Sequence, residues 1–143
     1  MIRTHSVAHD ATLQASPVEW YLDRIEQIRA ARPDLGLYVA ADTDAAFRRV
    51  AERFPDATGQ TEKGDYNSRR ALQASVADLY LLASSCHLLG PHYSSFPELA
   101  QHLAGGVIAL ETSRSDPSTR FEALTGFSVG MPLRPGLRSP GRS

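Results

Sequence analysis

The stretch Ala74–Ala100, ASVADLYLLASSCHLLGPHYSSFPELA, runs from an apolar helical pattern through a short apolar segment and a polar turn into a second helical pattern. Leu72, Val76, Leu79, Leu82 and Ala83 are spaced to bury one side and more of a helix over Ala71–Ser85. CHLLG, Cys86 to Gly90, is apolar without alternation, as expected of a strand buried on both faces. Ser94-Ser95 then opens a helix over SSFPELAQHLAG, and Ser95 with Glu98 fits the spacing of a capping box. A helix, a fully apolar strand and a further helix in succession are the parts of a parallel sheet with crossover helices.

The same alternation extends in both directions. GVIALET, Gly106 to Thr112, is a last apolar strand. Upstream, SPVEWYLDRIEQIRAAR has Ser16 placed as N-cap, Pro17 at the first helical position and Glu19 placed to close a capping box. GLYVAAD, Gly36 to Asp42, reads as a buried strand, and Asp42 or Thr43 caps the following helix AAFRRVAERF. Asp56 to Gln60 is a weaker strand candidate, and TEKGDYNSRR a polar loop long enough to reach a ligand. The expected fold class is therefore α/β, a Rossmann-like parallel sheet with helices on both faces. Residues 1–112 form its one domain. Residues 113–143, rich in Pro, Gly, Ser and Arg, read as a flexible tail.

Composition narrows the function classes. The 143 residues carry 15 Lys and Arg against 16 Asp and Glu, so bulk charge favours neither nucleic acid nor an anionic membrane as partner. No apolar run approaches the roughly 20 residues of a membrane span, and the polar start MIRTHSVAHD is unlike a signal peptide, which makes the cytoplasm the expected compartment. The single cysteine, Cys86, excludes an intrachain disulfide and reads as an inert buried thiol.

In an open parallel sheet, ligands bind beyond the carboxyl ends of the strands. Four loops qualify: one after Met1-Ile2-Arg3 with His5, His9 and Asp10, one with Asp42 and Thr43, the loop TEKGDYNSRR, and GPHYSS. The helix start at Ser94-Ser95 offers unpaired N–H groups and a partial positive charge suited to a phosphate, although Ser95 can equally serve only its own helix as cap. Arg3 can set a planar guanidinium against a pyrophosphate. Asp78 lies inside the apolar run VADLYLLA, where an unpaired carboxylate is costly; it needs a partner, such as Arg69 or Arg70, or a ligand. His5, His9 and His92 match no standard zinc spacing, and no metal is expected.

Taken in order, Ile2-Arg3-Thr4-His5, SPVEWY, LYVAADT and ASVADLYLLASSCHLLGPHYSSFPELA resemble the C-terminal, donor-binding half of the α-1,6-fucosyltransferases, a group related to the nodulation fucosyltransferases. The resemblance covers about residues 1 to 105. It implies half of a GT-B fold that binds a nucleotide sugar, GDP-fucose foremost, and transfers it with inversion, without metal or other cofactor, to a glycan or other hydroxyl acceptor. Arg3 matches the family's phosphate-binding arginine, Asp42 the first Asp of its second motif, Asp78 its helix Asp, and Tyr93-Ser94-Ser95 its Phe-Ser-Ser turn. Met1, Thr4 and Thr43 depart from the family's pattern, and Asp10 is the nearest offer for its catalytic acidic residue. The family's N-terminal half has no counterpart here, which implies a separate chain or a homodimer as partner. The alternative function is a non-catalytic nucleotide-sugar-binding module or a remnant fragment.

Overall fold

The computed structural model describes residues 2, 16–65, 67–92 and 94–115. Its helices arise where apolar side chains recur at helical spacing, and in two of them a hydroxyl side chain caps the first turn. Helix α1, Val18–Ala31, turns Tyr21, Leu22, Ile25 and Ile28 inward. Helix α2, Asp44–Arg53, starts where the Thr43 hydroxyl accepts the Ala46 N–H at 3.2 Å, so Thr43 and not Asp42 is its cap. Helix α3, Arg69–Ala83, is capped in the same way by Ser68, which accepts the Ala71 N–H at 3.1 Å. Helix α4, Ser95–Leu103, ends as Gly105 and Gly106 take positive φ and their N–H groups bond back to His102 and Gln101, turning the chain toward the next strand.

Every strand pairing among the described residues is parallel. Strand β1, His87–Leu89, lies beside β2, Ala109–Glu111, with His87 opposite Ala109 and Leu89 opposite Glu111. A second set pairs Ile2 with Ala41 and Tyr38 with Thr58. There the Ile2 N–H donates to the Ala40 carbonyl at 2.8 Å, and the Val39 N–H to that of Thr58 at 2.8 Å. The segment expected as a strand over Gly36–Asp42 is thus extended, though paired only through these bridges.

Successive residues of that segment point to opposite sides, as a pleat requires. Val39 and Ala41 enter a core with Ile2, Tyr21, Ile25 and Val50, whereas Ala40 enters one with Leu82, Leu88, Ala100 and Ile108. Helices α1 and α2 supply the first core, α3 and α4 the second. The chain is therefore of the α/β class, with a two-stranded parallel sheet, parallel bridges at Ile2 and Tyr38, and helices packed on both sides of the 37–41 segment. No helix among the described residues is long and apolar enough to cross a membrane.

Helix α3 departs from expectation. Leu72 and Val76 are 61% and 54% exposed, and the buried face holds Ala74, Asp78, Leu82 and Ala83. The helix is apolar nearly all round, so periodicity left its rotation open. Asp78 resolves it, because a carboxylate taken inward to three donors carries its own face with it. At about 100° per residue, Val76 then stands about 160° and Leu72 about 120° around the axis from Asp78.

Candidate functional site

The carboxyl end of β1 runs into Gly90-Pro91-His92 and then α4. A Cβ on Gly90 would sit 2.7 Å from the Pro97 ring, so the missing side chain is what lets this turn fold against the first turn of the helix. Ser94, buried, is the N-cap of α4, and exposed Ser95 is its first residue, one position off the expected capping box. The third helical residue is Pro97, which has no N–H to give, and the Ser94 hydroxyl makes no cap hydrogen bond. The Ser95 and Phe96 amides stand ahead of the helical ladder, at the positive end of the helix, beside a hydroxyl not spent on capping.

A second group of hydroxyls converges on the adjoining turn. Ser16, expected to cap α1, instead accepts the His92 N–H at 2.9 Å and lies 3.3 Å from the Ser113 hydroxyl, while Pro17 occupies the cap position. Thr112, just past β2, sets its hydroxyl 3.4 Å from His92 Nδ1, and its N–H donates to the Ser115 hydroxyl at 2.9 Å. Residues 113–115, at the start of the expected tail, are tied to this cluster; residues 116–143 lie outside the described residues. Burial pushes the Tyr21 phenol well above its usual range; the Ser16 hydroxyl opposes this and the Asp42 carboxylate adds to it.

Beneath the cluster sits a buried ionic network. The Arg24 guanidinium, 7% exposed, grips Glu111, 2% exposed, through Nε to Oε1 at 2.5 Å and Nη2 to Oε2 at 3.1 Å. His87 Nε2 lies 3.0 Å from Glu111 Oε2, and Gln27 accepts from Arg24 Nη1 at 3.0 Å. Burial alone would raise the Glu111 carboxyl, but the hydrogen bonds from His87 and Arg24 and their charges outweigh it, holding the group below 4.5. Sequence reasoning passed over Arg24 and Glu111, although each is a charge inside an apolar pattern, the signal that singled out Asp78.

Asp78 has its partners within the protein. Its Oδ1 accepts from the Tyr38 hydroxyl and from Gln60 Nε2, each at 2.7 Å, and its Oδ2 from Lys63 Nζ at 2.5 Å. Lys63 also donates to the Ala41 carbonyl at 2.7 Å, so the group ties the loop after Thr58 to α3 and to the end of the 37–41 segment. The ion partner is Lys63, not Arg69 or Arg70. Burial and then the Asp78 carboxylate push the Tyr38 phenol well above its usual range, which keeps it a donor.

Of the residues singled out from sequence, Ser94 and Ser95 stand together at the end of β1. Asp42 is exposed at the carboxyl end of its own segment, its N–H bonded to the Ile2 carbonyl at 3.2 Å. Among the described residues, no hydrogen bond joins the Asp78 group to Ser94 or Ser95. Arg3, Asp10 and Tyr93 lie outside the described residues. Cys86, expected to be buried, is half-buried on the wall of a cavity. Comparisons with protein-family models, with curated proteins and with solved structures found no match.

Proposed function

We propose that this chain binds a nucleoside-diphosphate sugar at the carboxyl edge of its parallel array, as the donor domain of a fucosyltransferase-like GT-B glycosyltransferase. The observation that carries the reading is the start of α4: two amides ahead of the ladder and a free cap hydroxyl, presented where β1 ends. In this reading Thr58, the 37–41 segment, Ile2, β1 and β2 are successive members of one Rossmann-like sheet, and the ligand lies across the switch between Ile2 and β1. The Ser95 and Phe96 N–H groups and the Ser94 hydroxyl accept the diphosphate, with Arg3 and Tyr93 contributing from the neighbouring loops. Asp42 receives ribose hydroxyls. Asp78 acts indirectly, by holding the Lys63 loop in place.

In the transfer, an acceptor hydroxyl oxygen forms a bond to the anomeric carbon as that carbon's bond to the diphosphate breaks. The acceptor's proton passes to a base, for which Asp10 is the candidate, and the helix terminus stabilises the departing GDP. The acceptor is a glycan or another hydroxyl-bearing molecule, presented by a separate N-terminal half or a second copy.

Titration calorimetry of the 143-residue protein with GDP, GDP-fucose and UDP-glucose tests this. Binding of the two guanosine ligands, weakened about tenfold by Ser94→Ala, is the expected result, equivalent to one lost hydrogen bond to a charged group. Absence of binding by all three ligands overturns the reading. Binding of GDP-fucose without hydrolysis or transfer restricts it to a non-catalytic module.

A further inference from the structure

We draw no further inference here: the strongest candidate, the exposed apolar stripe of Leu72, Val76 and Tyr80 along the outer face of α3, has nothing among the described residues to show what covers it.

Discussion

Replacing Glu111 by Gln keeps the shape of the buried network and removes its negative charge. Arg24 then keeps a guanidinium, 7% exposed, facing an amide that matches only part of the original fork. Breaking one side of a buried pair costs about 3–5 kcal/mol, because the remaining charge cannot reach water. At a urea slope of about 1.5 kcal/mol/M, the unfolding midpoint should fall by about 2–3 M. The variant Arg24→Met/Glu111→Gln, without the stranded cation, should recover at least about half of that loss. The dependence on pH follows from the depressed carboxyl. The folded-state value lies below the ordinary 4.5, so between the two values the unfolded chain binds more protons and stability rises with pH. The Glu111 contribution is complete above about 4.5 and is lost as pH falls through the folded value, so the gap between native protein and Glu111→Gln should narrow only below about pH 4.5. Urea unfolding at pH 7, 5 and 4, followed by the fluorescence of Trp20, measures both effects. A midpoint shift under about 0.3 M at pH 7, or no rescue in the double variant, would refute a stabilising role for the pair.

Gly59→Ala would put a Cβ 2.4 Å from the Val39 carbonyl oxygen and 2.7 Å from the Phe47 ring; a cost of about 2 kcal/mol, or about 4–8 °C in Tm by calorimetry, is expected, and an unchanged Tm contradicts the close approach. Lys63→Met should cost more than Asp78→Asn, about 2–3 against about 1 kcal/mol in chemical denaturation, because the Asp78 side chain is 5% exposed and the Lys63 side chain 21%, and the ammonium left over can reach water. The reverse order would show that the lysine carries the burial penalty. Ser16→Ala leaves the His92 N–H without its acceptor and should lower stability by about 1–2 kcal/mol, whereas Ser94→Ala, which breaks no cap bond, should change it by less than about 0.5 kcal/mol. Equal losses in a denaturant titration would show that Ser94 caps α4 after all.

The sequence made the helices readable because each carries a helical repeat between recognisable stops, and the parallel arrangement because its strands are short and apolar without alternation. It misled where one residue satisfies two rules. Ser16 precedes a proline and an apolar helix, the pattern of a cap, yet its hydroxyl serves an amide 76 residues away. No local rule weighs that contact. In α3 the leucines outvoted the single carboxylate in sequence, but in the folded chain the carboxylate decides, since three donors converge on Asp78 and surface leucines cost little. The same logic would have found the buried network: Arg24 follows Tyr21 and Leu22 on the inward face of α1, and Glu111 ends the apolar run VIAL. Half of the candidate site was readable as the loop after a strand. The other half, Ser16 with Thr112 and Ser113, comes from chain separated by up to 97 residues, which no local pattern in the sequence brings together.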